Sequence, residues 1–251
     1  MKRTRFIYEG LACDVFIPDD VRPGRLGLYL YGFPGSIGEA APTRAFLQSG
    51  YPVVQPHYPG TYDSAGECSP STAMEMVRIL GNALKGGSLE SVKDGSPIVL
   101  PHAVTTCVGH SYGCFVALRG AACLEGLRQL ILLGPAVAYG PGKVGLREDG
   151  GAHVNYVRRS RPFTYRGLDP TDWAAFYAGA YDGPVGRAPD SLLEIDLRVG
   201  ADDKYFDTAV LLEHASEVVK EALPGAPEAR IKVVADAGHG PAGLLDDIIL
   251  A

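Results

Sequence analysis

Apolar residues in this chain fall into short runs, broken by Gly, Pro and Asp, that alternate between strand-like and helix-like spacing. Residues 4–9 and 11–17 read as two strands joined tightly at Gly10, an antiparallel hairpin. Leu26 to Tyr31 is a strand with bulky residues on both faces, which suits the interior of a covered sheet. A helix is expected near Pro42 to Ser49 and a strand over Tyr51 to Gln55. Ser69-Pro70 has the form of a helix start, with Ser as N-cap and Pro in the first helical position. Ala73, Met76, Val77, Leu80 and Leu84 then give that helix one apolar face. Gly86 to Pro97 reads as a surface connection. Val104 to Val108 is a β-branched strand run, and a helix is expected from about Ser111 to Leu124. Leu130 to Leu133, Leu192 to Val199 and Arg230 to Ala235 complete the strands. The helix between the last two carries Phe206, Val210, Leu211, Ala215, Val218 and Leu223 along one side, and Leu244 to Leu250 reads as a closing helix.

This alternation predicts an α/β fold: a mostly parallel central sheet flanked by helices on both faces. From Tyr139 to Asp190, after the sixth strand, the alternation stops. The stretch is rich in Gly, Pro, Arg and aromatic residues, with a short helix over Pro170 to Ala180. An interruption of this length reads as a lid over a site. The plainer alternative is an insertion whose aromatics only hold it down.

At 251 residues the chain suits one large domain, residues 1–251, with 139–190 inserted in it. With 46% hydrophobic and 21% charged residues it has the composition of a soluble globular protein. A net charge of -6 gives no support for nucleic-acid binding. The basic cluster Arg158-Arg159-Ser160-Arg161, with Arg166 nearby, reads as a solvated loop, or as a contact for an acidic substrate group. No apolar signal segment follows Met1, and no apolar run is long enough for a membrane span. The five cysteines are odd in number, lack metal-type spacing and mostly sit in apolar runs. Buried, reduced thiols in a cytoplasmic protein are the simplest account.

The chemistry concentrates at Gly109-His110-Ser111-Tyr112-Gly113, between a strand and a helix. With 32 Gly and 12 Ser in the chain, chance alone gives about 0.2 matches to Gly-x-Ser-x-Gly, so its context carries the weight. In such an elbow the serine sits on a strained tip and its hydroxyl points out of the sheet. A serine hydroxyl needs a base. Of six histidines, His239 is the best placed, in a Gly-rich loop just beyond the last strand. His110 sits inside the elbow and is expected to point away from Ser111. Cys114 reads as core, not as a second nucleophile.

With the loop Tyr31-Gly32-Phe33-Pro34-Gly35 and the order Ser, Asp, His, the chain resembles the α/β-hydrolase superfamily over nearly its whole length. Tyr31 stands where the similar oxyanion loop of that superfamily carries histidine. The resemblance implies Asp203 as the acid that orients His239, with Asp202 the alternative one residue away. It implies an oxyanion hole from the backbone N–H groups of Phe33 and Tyr112. Tyr31, His57, Trp173 and Tyr177 are expected to line the substrate pocket. The mechanism implied is cleavage of an ester, thioester or amide of a small-molecule or peptide acyl substrate, without metal or organic cofactor. A non-hydrolytic enzyme on the same fold, such as an epimerase, lyase or acyltransferase, and a binding protein with a relic triad are the alternatives. Oligomeric state is not legible.

Overall fold

The structure, a computed structural model, describes residues 1–136, 150–184, 186–245, 248 and 250. Its strands are β1 (Lys2–Tyr8), β2 (Leu11–Ile17), β3 (Gly27–Leu30), β4 (Val53–Pro56), β5 (Leu89–Glu90), β6 (Pro97–Ile98), β7 (Thr106–His110), β8 (Gln129–Leu133), β9 (Glu194–Gly200) and β10 (Ala229–Val234). Its helices are α1 (Ala41–Gln48), α2 (Pro70–Gly86), α3 (Tyr112–Gly120), α4 (Gly150–Ser160), α5 (Pro170–Tyr177) and α6 (Thr208–Ala222).

Eight strands form one sheet in the order β1-β2-β4-β3-β7-β8-β9-β10. From β4 to β10 every pairing is parallel. Only β2 runs against its neighbours β1 and β4, as the tight hairpin at Gly10 requires. The central strands β3 and β8 are buried throughout, which is why their sequences Gly-Leu-Tyr-Leu and Gln-Leu-Ile-Leu-Leu lack polar alternation. Leu28, Leu30, Leu130, Ile131 and Leu132 have no exposed surface. Full burial of such side chains contributes about 1.5–3 kcal/mol each, set against the entropy of ordering the chain.

Helix α2 starts as expected: the Ser69 hydroxyl accepts the Thr72 N–H, and the Thr72 hydroxyl accepts the Ser69 N–H, a reciprocal cap. It ends at Gly87, whose φ of 68° is the left-handed conformation that closes many helices. Its buried face, Ala73, Met76, Val77, Leu80 and Leu84, is the one its spacing predicts.

Three elements differ from expectation. The connection after Gly86 contains the small antiparallel pair β5 and β6. The long interruption contains α4, which covers most of the basic cluster and buries only Gly150, Val154 and Val157. Residues 139–149 of that interruption lie outside the described residues. The expected closing helix begins as a turn instead; of Leu244 to Leu250, the described residues 244, 245, 248 and 250 are not helical. Leu244 is nonetheless fully buried, so the apolar pattern there reflects packing rather than helical spacing. Among the described residues no helix is long and apolar enough to cross a membrane. All five cysteines are free, and Cys13, Cys68, Cys107 and Cys114 are buried.

Candidate active site

Strand β7 ends at His110 and α3 begins at Tyr112, leaving Ser111 as the single residue that turns the chain. Its φ of 53° and ψ of -123° lie in a region that side chains rarely adopt. Surrounding bonds hold it there: the Ser111 N–H donates to the Leu133 carbonyl at 2.9 Å, and the Ser111 carbonyl accepts the Cys114 N–H at 2.8 Å. Gly113 passes so close to β3 that a Cβ there would meet the Leu30 carbonyl oxygen at 2.1 Å. Cys114 is fully buried, and its Sγ donates towards the Gly109 and Leu133 carbonyls at 3.2 and 3.3 Å. Burial pushes this thiol well above its ordinary range, so it is an uncharged core group.

Strands β9 and β10 deliver the next two groups at their carboxyl ends. Asp203 Oδ1 accepts the N–H groups of Tyr205 and Phe206 at 2.8 and 3.2 Å. Its Oδ2 lies 2.8 Å from His239 Nδ1. Burial pushes the Asp203 carboxyl up, but the hydrogen bond and charge of His239 and the two N–H groups together hold it below the usual carboxylate range. Asp203 is buried, whereas Asp202 is exposed. With Nδ1–H donated to a carboxylate, neutral His239 keeps Nε2 as its free lone pair. Tyr205 and Phe206 flank the ring, with centroids 4.8 and 5.4 Å away.

Sequence reasoning missed the contact that His110 makes. Its Nε2 donates to the main-chain carbonyl of His239 at 2.8 Å, joining the elbow and the loop after β10 across 129 residues of sequence. Burial lowers the His110 pKa to about 4, so it stays neutral near pH 7.

Ser111 and His239 share the wall of a cleft of about 300 Å³ that Phe33, Tyr112, Arg161 and Tyr177 also line. Tyr112 occupies the first position of α3, where a backbone N–H has no acceptor within its own helix. Phe33 lies in the loop after β3, its ring 5.9 Å from that of Tyr112. Trp173 stands behind this wall: it is buried, stacks on Phe33 at 4.3 Å and donates Nε1–H to the Cys68 carbonyl at 3.1 Å.

Tyr31 and His57 do not line the cleft. The Tyr31 hydroxyl is turned into the interior, where it accepts the Tyr58 N–H at 3.1 Å and pairs with the Thr61 hydroxyl at 3.3 Å. His57 has no exposed surface and sets its Nε2 3.3 Å from Asp14 Oδ2. Arg5 and Arg3 reach the same carboxylate at 2.7 and 2.9 Å. The buried Asp14, on β2, thus draws His57 away from the strand end. Tyr156, Tyr205 and Phe206 line the cleft without having been singled out for it. For the last two the signal was present, since they follow Asp203 by two and three residues.

The fold recurs in solved structures. An esterase of Pyrococcus furiosus superposes with a TM-score of 0.60 at 17% identity, over 98% of this chain and 84% of that one. A Xanthomonas campestris α/β serine hydrolase described as lacking a lid gives 0.56 at 16% identity, over 95% and 85%. The N-formylmaleamic acid deformylase of Pseudomonas putida gives 0.54 at 18% identity, over 98% and 97%. At these identities the likeness is one of fold. No curated protein matches the chain. The model of the alpha/beta hydrolase family matches residues 25–247, and the chain belongs to that family.

Proposed function

We propose that this protein is a serine hydrolase that cleaves a small acyl substrate, of the esterase or thioesterase type, through Ser111, His239 and Asp203. The observation that carries this reading is the 2.8 Å contact between Asp203 Oδ2 and His239 Nδ1, which leaves Nε2 as the basic nitrogen of a residue that shares one cleft with the strained Ser111. Family membership and the fold's recurrence in esterases support it.

In the proposed reaction the Ser111 hydroxyl attacks the acyl carbonyl carbon while its proton passes to His239 Nε2. Asp203 holds the ring in the required tautomer and stabilises its positive form. The N–H groups of Phe33 and Tyr112 receive the negative oxygen; one such donor is worth about 2.7–4 kcal/mol in the transition state. Collapse expels the leaving alcohol, thiol or amine, which takes the proton from His239. Water then attacks the acyl-enzyme, gives its proton to His239, and restores Ser111 with release of the acid. Gly150, His153, Tyr156, Arg161 and Tyr177 close one side of the cleft, the role we assign to the described part of the 139–190 insertion. The free thiols support a reducing, cytoplasmic setting.

Hydrolysis of a p-nitrophenyl ester series tests the reading. A cleft of about 300 Å³ lies at the small end of ligand sites, so acetyl to butyryl esters are expected to outpace octanoyl esters. Ser111→Ala is expected to lose about 10³-fold or more in kcat. An intact, folded protein that turns over none of the series overturns the hydrolase assignment and favours non-hydrolytic chemistry or binding.

A further inference from the structure

We propose that Arg161 is the anion-recognising residue of this cleft and that the preferred acyl substrate carries a free carboxylate. The proposal rests on the hydrolase reading above and names its substrate class. Four arginines cluster in this part of the chain, and the structure separates them. Arg158 is turned to the Asn155 side-chain oxygen at 3.1 Å. Arg166 ties the insertion to the loop after β4, donating to the carbonyls of Tyr62 (2.9 Å) and Ser64 (2.5 Å). Arg161 alone of the four lines the cleft with Ser111 and His239.

The position of Arg161 is fixed by its backbone. Its N–H donates to the Val157 carbonyl at 2.9 Å, and its own carbonyl accepts the N–H groups of Thr164 and Tyr165 at 3.1 and 3.0 Å. The Tyr165 hydroxyl in turn donates to the Gly35 carbonyl at 2.9 Å and accepts the Gly35 N–H at 2.7 Å. The residue is therefore pinned to the loop that carries Phe33, while its side chain stays exposed.

Nothing among the described residues neutralises it. Its guanidinium has no hydrogen-bond or ion-pair partner among them, and no Asp or Glu lines the cleft among them. Asp203, the nearest acid of the mechanism, has no exposed side-chain surface and lies behind His239. The N-terminus of α3, at Tyr112, adds the positive end of a helix to the same wall. An aromatic cleft with one planar cation carried on a pinned backbone, and no acid among its described walls, is matched by an apolar acyl substrate ending in a carboxylate, which a guanidinium binds through two parallel hydrogen bonds.

Two pairs of esters test this and locate the charge. For the acyl side, 4-nitrophenyl hydrogen adipate is compared with 4-nitrophenyl hexanoate. For the leaving-group side, 4-acetoxybenzoate is compared with its methyl ester. The anionic member of one pair is expected to be preferred. Arg161→Gln is expected to lower that anionic-to-neutral ratio of kcat/KM about 10- to 100-fold, chiefly through KM. Arg161→Lys is expected to recover part of the ratio, and Arg159→Gln, at the exposed end of α4, to retain it. Raising NaCl from about 0.02 M to about 0.5 M is expected to weaken the preference. No anionic preference, or one that survives Arg161→Gln, overturns the proposal while leaving the hydrolase reading intact. Failure of the hydrolase reading shows separately, as neutral esters left uncleaved. In that event calorimetric titration of Ser111→Ala with the hydrogen adipate ester still decides the subsite. Binding that weakens about tenfold or more on adding Arg161→Gln supports it, and equal binding refutes it.

Discussion

The imidazole Nε2 of His110 lies 2.8 Å from the main-chain oxygen of His239. The residue inside the elbow thus holds the loop that carries His239, and the two rings sit 5.2 Å apart. Because a carbonyl only accepts, His110 must carry its proton on Nε2. We expect His110→Ala to lower kcat/KM about tenfold, the usual scale for losing an outer group that orients a functional one. His110→Gln, which can still donate to the carbonyl, is expected to retain most of the activity. Equal losses in both variants, measured with a p-nitrophenyl ester, point to packing instead of the hydrogen bond.

His110 also predicts an acid limb of stability. Its pKa falls from an ordinary 6.5 to about 4 in the folded chain, mainly through burial. Between those values the unfolded chain binds more protons, so stability decreases as pH falls from 6.5 towards 4. Allowing for its partly exposed edge, the effect is ~2 kcal/mol. Asp203, held below the usual carboxylate range, contributes stability that persists above that range and is lost only as pH falls through its lowered value. A Tm series from pH 7 down to about 4 is expected to slope less steeply in His110→Gln than in the native chain. Identical slopes rule out His110 as the source.

Asp203 and Asp202 separate cleanly by substitution. Asp203→Asn keeps an oxygen for the N–H groups of Tyr205 and Phe206 but removes the charge facing His239 and permits the wrong ring tautomer. We expect kcat to fall about 10³- to 10⁴-fold with little change in fold. Asp202→Asn, at an exposed position, is expected to change kcat less than about twofold. Steady-state kinetics on both variants, with circular dichroism as the folding control, checks the pair.

Gly113 is a packing requirement rather than a flexible joint. Its built Cβ would stand 2.1 Å from the Leu30 carbonyl oxygen and 2.7 Å from that of Tyr31. Gly113→Ala therefore has to push α3 off β3, at a cost of about 1–3 kcal/mol or more. Urea denaturation should show a lower midpoint, and Ser111 should lose activity beyond what the lost stability explains.

The sequence made the sheet legible because its central strands are apolar on both faces and end in Gly or Asp turns. The placement of Ser111, Asp203 and His239 was legible because each sits just past such a strand. Helix α4 was not, since Gly150-Gly151, His153, Asn155 and two arginines surround only two buried valines, too few to set a period. His57 misled because its strand end points towards the site, while Asp14, 43 positions earlier in sequence, draws its ring into the interior. The His110 contact was equally hidden: pairing across 129 residues leaves no local signature. Arg161 was visible only as part of a basic cluster, and its separation from Arg158 and Arg166 needed the path of the chain.

The central claim is that Ser111 is a nucleophile activated by His239. Mass spectrometry of the intact protein after treatment with a fluorophosphonate measures this directly and needs no knowledge of the natural substrate. A single adduct that maps to the peptide bearing Ser111, absent in Ser111→Ala and strongly slowed in His239→Ala and Asp203→Asn, is the expected result. A folded native protein that forms no adduct, or labels as fast without His239, contradicts the nucleophile assignment and with it the hydrolase reading.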